Sequence, residues 1–176
     1  MRKVFVLAIA LGVGVPAAGA ELAPNQTLFL GRGVPHWRIG TEFRTEPDLV
    51  RFERHPKNDG GGCVAGPVLA SRIDYYPGVR LSWYFYDGHR KLLEVATRRA
   101  GDRSAVGFVI GQARFRQVRA RYPRADVVRR KLGRYRLGRF ELVVYDRTGY
   151  ESGRYMEYWF RADGVLAALA TGESGC

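Results

Sequence analysis

The 176-residue chain carries the same landmarks twice, in the same order. Trp37-Arg38-Ile39-Gly40 returns as Phe108-Val109-Ile110-Gly111, an offset of 71 residues at Ile-Gly. Trp83-Tyr84-Phe85, followed by Asp87-Gly88, returns 75 residues later as Tyr158-Trp159-Phe160, followed by Asp163-Gly164. Ala96-Thr97 returns as Ala170-Thr171 at 74. A shift this constant is what a duplicated unit with small loop changes leaves behind. It predicts two copies of one unit, 21–103 and 104–176, packed as one compact body.

Each copy reads as a helix followed by antiparallel strands. Thr45-Glu46-Pro47-Asp48 has the chemistry of a helix start: a capping Thr, Pro in the first turn, and acids at the positive end of the dipole. Leu49 and Phe52 then share a face. In the second copy Phe115, Val118 and Tyr122 share a helical face and Pro123 stops it. Residues 79–86 alternate, with Val79, Leu81, Trp83 and Phe85 on one side and Arg80, Ser82, Tyr84 and Tyr86 on the other. Asp87-Gly88 and Asp163-Gly164 are hairpin turns. Strands are expected at 72–76, 79–86 and 92–98, then at 139–145, 154–161 and 165–171. The expected class is α+β: two tandem helix-plus-antiparallel-sheet repeats, with the helices on one side of the sheet.

The first twenty residues predict a cleaved signal peptide. Arg2 and Lys3 precede an apolar run at 4–15, and Ala18-Gly19-Ala20 supplies the cleavage site. The run is too short to span a bilayer, and no other stretch is long enough. The expected product is secreted, extracellular or in the periplasm and cell envelope, with 46% apolar residues to build a core. Two cysteines in an oxidising compartment predict a Cys63–Cys176 bridge, worth about 4–5 kcal/mol by loop entropy. Free thiols or an intermolecular bridge are the alternatives.

A leader, two units of about 70–75 residues and a helix-then-strands order resemble the β-lactamase-inhibitor-protein-like fold. The openings at Ile39-Gly40 and Ile110-Gly111 are also similar to those of small outer-membrane assembly lipoproteins that share this unit. The resemblance implies a binding protein whose concave sheet face takes a protein partner through aromatic side chains. Inhibitors of that type bridge cysteines within each unit, whereas Cys63 and Cys176 stand in different copies.

Two surfaces are candidates for function. The strand pattern turns Arg80, Tyr84, Tyr86, Tyr155, Trp159 and Arg161 away from the core, and Tyr, Trp and Arg are the residue types that dominate binding hot spots. A one-residue slip in register would reverse that assignment. The second surface is basic. Behind the leader, 27 basic residues face 17 acidic ones, and the whole excess lies in residues 114–139. Arg114, Arg116, Arg119, Arg121, Arg129, Arg130 and Lys131 belong to it. Such a block attracts anionic polymers or lipids of the envelope, or is a solvated face in a chain where Arg outnumbers Lys 25 to 4.

Catalytic chemistry is not legible. His36, His55 and His89 adjoin no nucleophile or ligand motif, no serine sits in a nucleophile elbow, and Gly31-Arg32-Gly33 lacks the third glycine of a dinucleotide fingerprint. The expectation is a non-enzymatic protein without cofactor or metal; a secreted hydrolase or nuclease is the remote alternative.

Overall fold

The computed structural model describes residues 25–55, 70–86, 89–129, 140–145 and 153–173. The expected signal peptide, Cys63, Cys176 and the Asp87-Gly88 turn lie outside them.

Apolar alternation and β-branched or aromatic content drive about half of the described residues into strands. In chain order the elements are β1 (Thr27–Leu28), β2 (Arg51–His55), β3 (Ala70–Tyr76), β4 (Val79–Tyr86), β5 (His89–Thr97), β6 (Arg103–Ser104), α1 (Phe115–Arg121), β7 (Asp126–Arg129), β8 (Phe140–Tyr145), β9 (Arg154–Phe160) and β10 (Leu166–Glu173). Eight of the strands form one antiparallel sheet in the order β2-β3-β4-β5-β10-β9-β8-β7, and β1 pairs with β6 in a small parallel ladder. The large sheet is two four-stranded meanders, β2–β5 and β7–β10, joined where β5 meets β10. At that seam Ala96 stands opposite Ala170 and Glu94 opposite Gly172.

This corrects the expected fold class. The molecule is mostly β, with one seven-residue helix among the described residues, so it is not a pair of helix-plus-sheet α+β repeats. The first expected helix is absent: its core, residues 51–55, is the edge strand β2. The helical signal rested on Leu49 and Phe52, while 51–55 also fits a period of two. A helix of one to two turns gains little against its nucleation cost. The strand instead gains a ladder, with Arg51 opposite Tyr75 and Glu53 opposite Ile73. Side-chain contacts reinforce it: the Arg51 guanidinium stacks 3.9 Å from the Tyr75 ring centroid, and that of Arg72 lies 4.1 Å from the Phe52 ring. The second helix does form. Gln117 Oε1 accepts the Arg114 N–H at 2.7 Å at its start, and Val118 is its buried anchor. Residues 126–129, which read only as part of the basic segment, form β7 through the exposed Val127 and half-buried Val128.

One face of the sheet carries the main core. Val79, Leu81 and Trp83 of β4 point into it, as do Met156, Tyr158 and Phe160 of β9. Loops from residues 25–49 and from 98–113, together with α1, close over this face with Leu28, Val34, Trp37, Ile110 and Val118. Each large apolar side chain removed from water here contributes about 1.5–3 kcal/mol. Aromatic rings meet edge to face, Trp37 on Trp83 at 5.8 Å and Phe108 on Tyr158 at 5.9 Å.

The two Ile-Gly turns do the same job. Gly40, at φ 83°, donates its N–H to Leu92 O at 2.8 Å, and Leu92 returns its own to Thr41 O at 2.9 Å. Gly111, at φ 86°, donates to Leu166 O at 2.9 Å, and Leu166 donates to Ala113 O at 2.9 Å. A left-handed backbone is what lets each turn reach the last strand of its meander, and glycine adopts it without strain.

Candidate binding face on the sheet

The opposite face of the sheet is where the outward residues of β4 and β9 meet. Residues directly opposite one another across a ladder share a face. The register therefore draws two rows across the strands. One runs Tyr75, Arg80, Ala96, Ala170, Glu157, Val143; the next runs Ile73, Ser82, Glu94, Gly172, Tyr155, Tyr145. Trp159 lies beyond them, opposite Ala168 on one side and Glu141 on the other. At the seam the first row carries Ala96 and Ala170 and the second carries Gly172, so long side chains can lie down over it. Ala96, Ala168 and Ala170 form a small second core with Trp159, which is only 7% exposed.

Glu94 is the hub. It accepts hydrogen bonds from the Arg80 guanidinium, from Ser82 Oγ at 3.2 Å and from the Tyr155 hydroxyl at 2.7 Å. The Tyr155 bond crosses the seam and depends on Gly172: a Cβ there would lie 2.7 Å from the Tyr155 oxygen and 2.4 Å from Leu93 O. Burial opposes the charge on Arg80, but the adjacent Glu94 carboxylate outweighs it and holds the guanidinium above its ordinary pKa. Burial, then Glu94 and Glu157, push the Tyr155 phenol well above its usual range.

Glu157 sits beside this hub. Its Oε2 accepts the Trp159 indole N–H at 2.8 Å. Burial, with Glu94 and then Glu141 nearby, pushes its carboxyl up to about 8. Glu157 therefore holds a proton at neutral pH, which its hydrogen bond with the fully buried Glu141 uses. The Glu94 carboxylate then faces the Arg80 guanidinium, and Arg98 lies close enough that burial and then the Arg80 charge lower its pKa.

The residues singled out from sequence divide. Arg80 and Tyr155 come together through Glu94, across the seam. Tyr84 is half-buried on β4 in the same alternating set, opposite Lys91. Trp159 is on this face but packed against the alanine floor instead of projecting. Arg161 does not join: it lies past the end of β9, exposed, with its guanidinium 2.9 Å from Asp163 in the turn. The Tyr86 side chain lies outside the described residues. Sequence reasoning missed Glu94, Glu141 and the small-residue floor. The signal was present in β10, where Ala168, Ala170 and Gly172 alternate and mark a face on which something larger lies flat.

The basic residues are placed elsewhere, on and after α1. Arg114, Arg116 and Arg121 are exposed. Arg114 Nη1 reaches Asp163 O at 3.5 Å and Arg119 Nη1 donates to Ala125 O at 2.5 Å, so part of the charge is used to tie down the helix and the turn beyond it. Arg129 falls in β7, its side chain outside the described residues, as are Arg130, Lys131 and the two cysteines of the expected bridge. No helix among the described residues is long and apolar enough to cross a membrane. Compared with known proteins, the chain matches no family, no curated protein and no solved structure.

Proposed function

We propose that the chain is a secreted, non-enzymatic binding protein that presents this sheet face to a protein partner. The observation that carries the reading is the seam array. Long polar and aromatic side chains from both meanders lie on a paved floor and meet across the seam. Its groups are held in place before any partner arrives, which lowers the ordering cost of binding.

A photo-crosslinking residue placed at Tyr84, in the array, and separately at Arg116, on α1, tests the reading in secreted and envelope fractions. The Tyr84 probe is expected to capture a protein, with Glu94→Gln, which removes the hub of the array, reducing capture. Equal capture from both positions, or capture unchanged in Glu94→Gln, refutes it. Capture of anionic polymer at Arg116 alone favours the alternative, an envelope-associated protein held through residues 114–139.

A further inference from the structure

On the other side of the sheet, beside the first Ile-Gly turn, lies a cleft of about 630 Å³. That is within the range of small-molecule sites. Phe29, Pro35 and Ile39 supply an apolar wall, with Phe29 42% exposed. Arg32, Arg38 and Arg154 supply three guanidiniums. Arg154 is neutralised by Glu173 at 3.0 Å, while neither Arg32 nor Arg38 meets a carboxylate among the described residues.

The loop that bears these arginines is built rather than loose. Phe29 donates to Gly33 O at 2.9 Å, Arg32 to Phe29 O at 3.0 Å and Ile39 to Arg32 O at 3.1 Å. The Gly31 N–H reaches the buried Thr171 Oγ1 at 2.8 Å, which pins the loop to β10. Gly31 and Gly33 take φ of 61° and 80°. A Cβ on Gly33 would stand 2.2 Å from Trp37 O, and one on Gly31 would meet the Arg154 side chain at 2.5 Å. The Gly-Arg-Gly sequence therefore brings one strand of the turn against the other and admits the Arg154 stem to the cleft.

Two unneutralised guanidiniums, borne on a loop whose backbone is pinned, match the two charges of a phosphate monoester, and each presents paired N–H groups suited to its oxygens. The apolar wall beside them suits the group that carries the phosphate. We propose that this cleft binds a phosphate monoester carried on an aromatic or apolar body. Inorganic phosphate offers only the charge, and a neutral aromatic alcohol only the body, so neither satisfies both walls.

The test is calorimetric titration of the purified chain, in phosphate-free buffer, with phenyl phosphate, inorganic phosphate and phenol. Phenyl phosphate is expected to bind with a Kd on the order of 0.1–1 mM, at least tenfold more tightly than either of the others. Arg32→Glu with Arg38→Glu should abolish that binding while leaving the thermal melt unchanged. The milder Arg32→Gln with Arg38→Gln should weaken it at least tenfold if the charge reversal proves unstable. Phe29→Ala should erase the advantage over inorganic phosphate and leave the inorganic ion's own affinity in place. The proposal is overturned if phenyl phosphate does not saturate at about 10 mM, if inorganic phosphate binds as tightly, or if the arginine variants bind like the parent.

Discussion

Glu157 makes the stability of this protein depend on pH in an unusual direction. Its carboxyl sits at about 8 in the folded chain against an ordinary 4.5, because of burial first and then Glu94 and Glu141. Above 4.5 the unfolded chain has released this proton and the folded chain has not, so the folded state binds more protons. Stability then falls as pH rises, by about 1.4 kcal/mol per unit from this group. The contribution is fully present below about 4.5, shrinks through the window, and stops changing above about 8. At pH 7 the cost is about 3 kcal/mol, a large fraction of the ~5–15 kcal/mol that holds a domain folded. Glu157→Gln keeps the shape, keeps an acceptor for the Trp159 indole N–H and offers an N–H to Glu141, with no proton to lose. Urea unfolding followed by tryptophan fluorescence at pH 5, 6, 7, 8 and 9 measures both proteins. The variant's advantage over the parent should be about 1 kcal/mol at pH 5 and grow to about 4 kcal/mol at pH 8. Comparing the two proteins removes every other group that titrates in the window. Parallel curves between pH 5 and 8, or a parent that gains stability relative to the variant, would refute the assignment of the proton to Glu157.

Two further substitutions test the packing that positions the array. Gly172→Ala places a methyl against Leu93 O and the Tyr155 hydroxyl; it should cost about 1–3 kcal/mol of unfolding free energy and break the cross-seam bond to Glu94, read as a lower urea midpoint. Asp74→Asn should cost about 3–5 kcal/mol, because Asp74 is fully buried and its carboxylate holds Arg72 at 2.5 Å under the rings of Phe43 and Phe52; a change below 1 kcal/mol in the same assay would show that pair to be idle.

Short-range signals carried the strands well and the helices poorly. β4 begins at Val79 and ends at Tyr86, the span its alternation predicts, and Met156, Tyr158 and Phe160 enter the core as their period of two requires. Residues 45–55 misled because cap chemistry at Thr45 to Asp48 describes a turn as well as a helix start: Leu49 donates to Glu46 O at 3.3 Å, and the chain then extends. What decides between helix and edge strand there is β3, nearly twenty residues away, with Tyr75 and Ile73 waiting as ladder partners. No local pattern contains that information. β7 was hidden for a related reason: arginines around Val127 and Val128 dominate the composition, and only pairing with Leu142 and Glu141 reveals a strand.

The binding face shows the same division at the level of single residues. Alternation alone places Arg80 and Tyr155 on the outward side, but they meet only because β5 and β10 pair in a register that sets Glu94 against Gly172. Tyr84 and Trp159 hold the same place in the aromatic triplets, 75 residues apart, yet their surroundings differ. Tyr84 stands opposite Lys91 and stays half-buried, while Trp159 stands opposite Ala168 and sinks onto the alanine floor. The neighbour across the strand, not the position in the repeat, decides which aromatic projects and which becomes structure. Trp159→Ala should therefore damage the floor itself and lower the urea midpoint further than Tyr84→Ala does; an equal loss in both variants would refute the division.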